Sequence, residues 1–316
     1  MTLALLLASG ISLLLTGGHY LVRHAVELAA RLNVPALVIG LTIVAFGTSA
    51  PELVISIGAV LTDHDDIVIG NIIGSNIANL LLVLAVSALI FPVRVVRRTV
   101  GREGAILTAA TALFGWLCWN GEISRLEGGV LLAGLAAYTA LAFLVPPRAA
   151  SGQGEQAGDG IAATTGGGGG ATLLNVIAIA ASLAALAGGS KLFVDGAVGL
   201  SLLFGVPEAV IGLTVVAVGT AAPEIVTAAA AAWNRHTDLA IGNVIGSSIF
   251  NLLGIAGVTA LVAPVGVGAQ FIETDIGILL AASAGVVATA LVLGRLGRRA
   301  GALLLVAYAA YILQLG

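Results

Sequence analysis

Charge is the scarcest commodity in this chain: Asp, Glu, Lys and Arg make up 9% of its 316 residues, while 59% are hydrophobic and the mean hydropathy is +1.11. A soluble domain of this length needs far more charge on its surface, so the shortage excludes an ordinary water-soluble fold and points to lipid. Cysteine is nearly absent too. Cys118 stands alone, which excludes an intrachain disulfide and a cysteine-based metal or redox centre; as a small apolar side chain it reads as helix packing. Four scattered histidines offer no zinc constellation. The apolar first 17 residues lack a basic n-region and resemble a segment beginning near Ala171, so they read as the start of a membrane helix rather than a secretory signal.

What the chain does have is long apolar runs. A bilayer core takes about 20 apolar residues as helix. With that ruler the chain divides into ten spans, at 3–31, 36–61, 67–91, 102–119, 125–145, 172–203, 208–232, 239–263, 274–293 and 299–315. The first and sixth are long enough to require tilt. The expected fold is an all-α integral membrane protein, with one five-helix unit at 1–145 and another at 172–316. Residues 146–171, from Pro146–Pro147 through the Gly166–Gly170 run, read as a flexible Gly-rich linker with no room for a regulatory domain.

Sidedness follows from the arginines. Arg31, Arg94, Arg97, Arg98, Arg102, Arg148, Arg235, Arg295, Arg298 and Arg299 all fall on one side of this arrangement. The opposite loops hold Arg125 and little else basic, together with Asp63, Asp65 and Asp66. The positive-inside rule makes the arginine side cytoplasmic, so a multi-pass protein of the cell (inner) membrane with both termini outside is expected.

The chain also repeats itself 172 positions on: VIGLTIVAFGTSAPELV (38–54) matches VIGLTVVAVGTAAPEIV (210–226), and IGNIIGSNIANLL (69–81) matches IGNVIGSSIFNLL (241–253). Pro35, Pro51 and Pro92 match Pro207, Pro223 and Pro264 without an insertion. Equivalent positions lie five spans apart, an odd number, so the second copy must cross in the opposite sense. That is an inverted-topology repeat, which in secondary transporters places the substrate site at the midplane between the copies.

Glu52 and Glu224 lie inside apolar spans, where a carboxylate is costly and is a functional candidate by default. No Lys or Arg in the same spans offers a structural ion pair. Each follows a proline, in Gly47-Thr48-Ser49-Ala50-Pro51-Glu52 and Gly219-Thr220-Ala221-Ala222-Pro223-Glu224. Proline removes a helix donor and clashes one turn back, so the ladder should open over Ala45–Gly47 and Ala217–Gly219, leaving carbonyls, those of Thr48 and Thr220 included, to face a cation. The next span of each copy adds Ser75 with Asn79, and Ser247 with Asn251, each pair four residues apart on one helical face. Small polar residues of this kind also serve as interhelical glue. Gly70, Gly74, Gly242 and Gly246 should permit close backbone approach, and Asp66 and Asp238 read as N-caps. Every ligand in this inventory is an oxygen, which suits a hard cation; Ca²⁺ accepts six to eight such ligands at flexible geometry. Two carboxylates balance one Ca²⁺ or two monovalent ions.

The paired signatures Gly-Thr-Ser-x-Pro-Glu and Gly-Asn-x-x-Gly-Ser-x-x-x-Asn resemble those of the Ca²⁺/cation antiporters, especially the compact prokaryotic sodium/calcium exchangers, over nearly the whole chain. The resemblance implies that Glu52, Glu224 and the carbonyls of Thr48 and Thr220 hold Ca²⁺. It implies Na⁺ or ion-lining positions at Ser49, Ser75, Asn79, Ser247, Asn251 and the carbonyls of Ala45 and Ala217, with the first and sixth helices sliding to alternate access. Two positions depart from the family pattern. Ala221 replaces a signature serine, which favours H⁺ as a coupling ion; Asn251 replaces the aspartate of K⁺-dependent members, which disfavours K⁺ co-transport.

The expected function is therefore Ca²⁺/Na⁺ antiport by alternating access. The rivals are H⁺/Ca²⁺ exchange in the same fold, a passive cation channel, and an intramembrane hydrolase, for which Ser49 lacks an activating histidine in its span. No catalytic residue and no cofactor beyond the transported Ca²⁺ and Na⁺ is expected. The partners are Na⁺ or H⁺, Ca²⁺ and the lipid bilayer, with no nucleic acid and no obligatory protein partner. Arg23 with Glu27, and Lys191 with Asp195, read as i,i+4 ion pairs. Gly17–Gly18 and Gly188–Gly189 fit smooth, sliding faces on the first and sixth helices, and ordinary close packing explains them equally well.

Overall fold

Proline and glycine punctuate the helices where the apolar pattern alone would run on. The computed structural model describes residues 2–145, 169–203 and 217–315. Helix α1 (Thr2–Arg31) contains no proline and runs unbroken until Asn33 takes a left-handed turn at φ 52°. Pro35, extended at ψ 143°, then opens α2 (Ala36–Thr48). That helix breaks at Ser49, and α3 (Ala50–Val60) leaves at 43° with Pro51 in its first turn, where a missing N–H costs nothing. After α4 (Asp65–Ile90), Phe91 turns extended because Pro92 follows it. Helix α5 spans Arg97–Cys118, and a Ser124/Glu127 capping box starts α6 (Arg125–Leu144).

The second half begins with α7 (Gly169–Leu203). The expected span at 208–232 falls partly on residues outside those described; its remainder is α8 (Ala217–Thr220), a break at Ala221, and α9 (Ala222–Trp233). Then come α10 (Thr237–Val262), α11 (Phe271–Leu293) and α12 (Arg298–Leu315). Among the described residues six helices are long and apolar enough to cross a membrane, or seven if α2 and α3 form one broken span. The linker expected at 146–171 lies largely outside the described residues, and α7 starts inside its last turn.

Two short ladders tie the halves together. Strand β1 (Val93–Arg94) pairs antiparallel with β4 (Arg295–Leu296), and β2 (Glu122–Ile123) with β3 (Val265–Gly266). Gly121 and Gly294, at φ 81° and 65°, make the turns that lead into β2 and β4. Glycine is needed there because an L side chain clashes in the left-handed region. Polar pairs brace the inside of the bundle, the first two within one half each and the third between the halves. The Tyr138 hydroxyl donates to Glu103, which also pairs with Arg102, and Tyr311 donates to Asp275. Buried Thr111 and Ser283 share a hydrogen bond at 3.3 Å.

Two expectations need correction, and one that was left open is decided. Asp66 and Asp238 are not N-caps: His64 and His236 occupy those positions, and each aspartate sits in the first helical turn, where the helix dipole still favours it. At Gly17 and Gly189, between α1 and α7, the close packing that was one of the two readings is what is found. A methyl added at Gly189 would lie 2.9 Å from the Leu14 amide nitrogen, and one at Gly10 2.6 Å from that of Phe193, so the two helices touch backbone to backbone. Gly188, by contrast, is exposed. Close approach along the ion-lining faces holds for Gly242, where a methyl would meet the Leu37 carbonyl at 2.7 Å, and for Gly246 against Leu41. Among the described residues Gly70 and Gly74 have no backbone that near.

Candidate functional site

The breaks at Ser49 and Ala221 place a carboxylate one residue beyond each proline, at the start of α3 and of α9. Both side chains are withdrawn from the surface: Glu52 is 1% exposed and Glu224 2%. The two halves meet here. Ser49 of the first half donates to Glu224 Oε1 at 3.0 Å. Among the described residues no Lys, Arg or His comes within 4.0 Å of either carboxylate. A permanent basic partner is thus ruled out within that part of the chain.

Ala45, Thr48 and Ser247 form a second knot. Ser247 Oγ donates to the Ala45 carbonyl at 3.2 Å, Thr48 Oγ1 reaches the same carbonyl at 3.2 Å, and the two hydroxyls lie 3.4 Å apart. The Ser49 amide also donates to Ala45, at 3.1 Å. The helix ladder therefore stays closed at Ala45, and side-chain hydroxyls are added to it. Ser75 donates to Asn71 Oδ1 at 3.4 Å. Asn79 and Asn251 are buried one turn on from Ser75 and Ser247, each within a π-helical stretch, Asn79–Val83 and Phe250–Ile255. A third such stretch, Gly40–Val44, precedes Ala45. These widened turns change the pitch just where the site residues emerge, a common feature of functional helices. Ala217 and Thr220 lie on the single turn α8 leading to the second break.

Two asparagines that sequence reasoning passed over complete the frame. Asn71 Nδ2 donates to the Glu52 carbonyl at 3.0 Å and to Ser56 Oγ at 2.8 Å, clamping α4 to the start of α3. Its equivalent, Asn243, instead accepts from Thr48 Oγ1 at 3.2 Å, reaching into the other half. The signal was available: both stand four residues before a site serine, on the same helical face. Ser190 gave no such signal, because it lies outside the repeated stretch. Its hydroxyl donates to the Gly219 carbonyl at 2.6 Å and ties α7 to the second break.

Several polar atoms of this region are buried with no partner: Glu52 Oε2, Glu224 Oε2, Asn243 Nδ2 and both amide atoms of Asn251. Each would cost about 1–3 kcal/mol if it stayed unsatisfied. Two acids and an amide carbonyl in that condition, with hydroxyls around them and no Lys, Arg or His within 4.0 Å of the carboxylates among the described residues, form a donor set that suits a hard cation as cargo.

A bundle of apolar helices, with buried carboxylates at its broken spans, defines a helical membrane transporter rather than an enzyme. The chain belongs to the sodium/calcium exchanger protein family, whose model matches residues 2–144 and 174–315. It is similar to the sodium/calcium exchanger MaX1 of Methanosarcina acetivorans, with 34% identity over 293 residues, 83% of this chain and 84% of that protein. It is also similar to the inner membrane protein YrbG of Escherichia coli (strain K12), with 32% identity over 82% of this chain and 79% of that one. Among solved structures it matches the sodium-calcium exchanger NCX_Mj soaked with Na⁺ and Ca²⁺, at a TM-score of 0.85 and 27% identity, covering 100% of this chain and 99% of that one.

Proposed function

We propose that this protein is a secondary antiporter that exchanges Ca²⁺ for Na⁺ by alternating access. The observation that carries the reading is the Ser49–Glu224 hydrogen bond, which joins the arm that bears Glu52 to the arm that bears Glu224, with an unpartnered oxygen on each carboxylate. Glu52, Glu224 and the carbonyls of Thr48 and Thr220 take Ca²⁺. Ser49, Ser75, Asn79, Ser247, Asn251 and the carbonyls of Ala45 and Ala217 line flanking Na⁺ positions. Two negative charges accommodate one load at a time, which is the electrostatic basis of exchange.

The transport cycle rests on ten spans in two inverted five-helix repeats, 1–145 and 172–316, joined by the 146–171 linker. Crossed contacts support this. Allowing one inserted residue after Leu293, Arg125 and Arg298 are equivalent; Arg125 donates to the Val262 carbonyl and Arg298 to that of Leu89, each reaching the other half. Thr111 and Ser283, bonded to each other, are 172 residues apart, as expected for residues beside a pseudo-two-fold axis. Arginine placement supports extracytoplasmic termini, and a bacterial relative described as an inner membrane protein supports that location.

The test is ⁴⁵Ca²⁺ uptake into vesicles reconstituted with the protein, imposing Na⁺, K⁺ and H⁺ gradients one at a time. Uptake driven by internal Na⁺ and abolished by Glu52→Gln or Glu224→Gln is expected; uptake indifferent to both substitutions rejects the site. Ala221 favours one second reading, H⁺/Ca²⁺ exchange, which uptake driven by a pH gradient without Na⁺ would establish instead.

A further inference from the structure

The β1–β4 ladder carries an arrangement that ion exchange does not use. Alternation along the ladder buries Val93 and Leu296 and leaves Arg94 and Arg295 exposed, directly opposite each other. The Val95 amide donates to the Gly294 carbonyl, so the neighbouring Arg94–Arg295 pair is the non-hydrogen-bonded kind, in which side chains stand closest. Like charges directly opposite destabilise a sheet. Two more arginines reinforce the charge. Arg97 donates to the Val292 carbonyl and Arg298 to that of Leu89, which fixes both beside the ladder, at the ends of α11 and α4. Arg98 and Arg299, next to them in sequence, are exposed as well. Among the described residues none of these six has a carboxylate within 4.0 Å. Asp238 lines a crevice with Arg94, and it has an interaction of its own.

The ladder follows α4 and α11 within a few residues, so it lies at the membrane–water boundary. Val292 and Leu293, just before it, are 73% and 55% exposed. A row of guanidinium groups above an exposed apolar edge has the two-part chemistry of a phospholipid: anionic phosphate against the arginines, acyl chain against Val292 and Leu293. We propose that the Arg94–Arg295 ladder, with Arg97 and Arg298, is a binding site for the headgroup of an anionic phospholipid, which relieves the like-charge repulsion and clamps the two halves at this end of the bundle. The proposal needs only a membrane-embedded chain and is independent of which ion is transported.

The experiment compares wild type with Arg94→Gln/Arg295→Gln in neutral detergent, with phosphatidylglycerol, phosphatidylcholine or inorganic phosphate added. Phosphatidylglycerol retention is read by native mass spectrometry and stability by thermal unfolding. Wild type should retain phosphatidylglycerol and gain about 3 °C or more from it, with little response to phosphatidylcholine. The double variant should retain the lipid about 5-fold less for each arginine removed. Without anionic lipid it should be at least as stable as wild type, because the repulsion is gone; with the lipid that order should reverse. Arg125→Gln, away from the ladder, should keep the full response. An equal phosphatidylglycerol shift in wild type and double variant overturns the proposal. Protection by inorganic phosphate as strong as by the lipid also overturns it, in favour of a free-anion site. Should the double variant not fold, Arg94→Gln alone is read against the same outcomes.

Discussion

The two carboxylate arms start from nearly the same sequence and end up held in different ways. On the first arm, Asn71 clamps the Glu52 carbonyl and Ser56, both within its own half. On the second, Ala228 stands where Ser56 would be, so the equivalent Asn243 has no hydroxyl to donate to, and its carbonyl oxygen takes Thr48 from the first half instead. Ser49 crosses to Glu224, while Ala221 has nothing to send back to Glu52. The first arm therefore braces itself and also holds the second. Two missing hydroxyls turn a sequence repeat into an unequal pair.

That comparison can be broken or sharpened. The largest effect should come from neutralising the carboxylates: Glu52→Gln and Glu224→Gln should each lower apparent Ca²⁺ affinity by roughly 10²-fold or more, measured as ⁴⁵Ca²⁺ uptake, since each removes a buried charge facing the cation. Asn71→Ala leaves the Ser56 hydroxyl and the Glu52 carbonyl without its donor and should cost about 2 kcal/mol in thermal unfolding, against about 1 kcal/mol for Asn243→Ala, which gives up a single bond. Equal losses would mean that the arms are braced alike. Ser49→Ala should weaken Ca²⁺ binding about 10-fold, the worth of one hydrogen bond to a charged group. Ala221→Ser should supply the reciprocal hydroxyl and raise apparent Na⁺ affinity about 2- to 5-fold, read as the internal Na⁺ needed for half-maximal uptake. Smallest is Ser190→Ala, which frees the Gly219 carbonyl from α7 and should change Ca²⁺ affinity about 2- to 3-fold; Ser190→Thr should restore it.

Much of this was legible beforehand. Glu52, Glu224 and Ser247 stood out because acids and hydroxyls are costly in lipid and these positions repeat, while Ser49 was singled out by the family resemblance, its equivalent being Ala221. Pro51 announced the break before α3, and the structure puts it within two residues. The ladder itself was harder to read: proline implied that it opens over Ala45–Gly47, yet the Ser49 amide still finds the Ala45 carbonyl. Local rules say where a helix is weakened, not which neighbour will make good the loss. The Asp66 and Asp238 N-caps failed for a related reason, since a cap depends on where the chain turns and the turns at Asp63 and Arg235 come just early enough to start each helix sooner. Gly17 and Gly189 fitted a smooth face and close packing alike, because composition reveals small side chains but not the backbone that closes on them.

The sequence by itself determined that this protein lives in lipid, that it is doubled, and that each copy carries one acid beside one proline. Those are properties of residue type and spacing, set by the cost of charge in hydrocarbon and by the missing amide of proline. Only the tertiary structure decided that Ser49 serves the other half's glutamate, that Asn71 and Asn243 part ways, and that Arg94 faces Arg295. Each is a contact between residues far apart in the chain, and packing alone chooses among partners that the sequence leaves equally available.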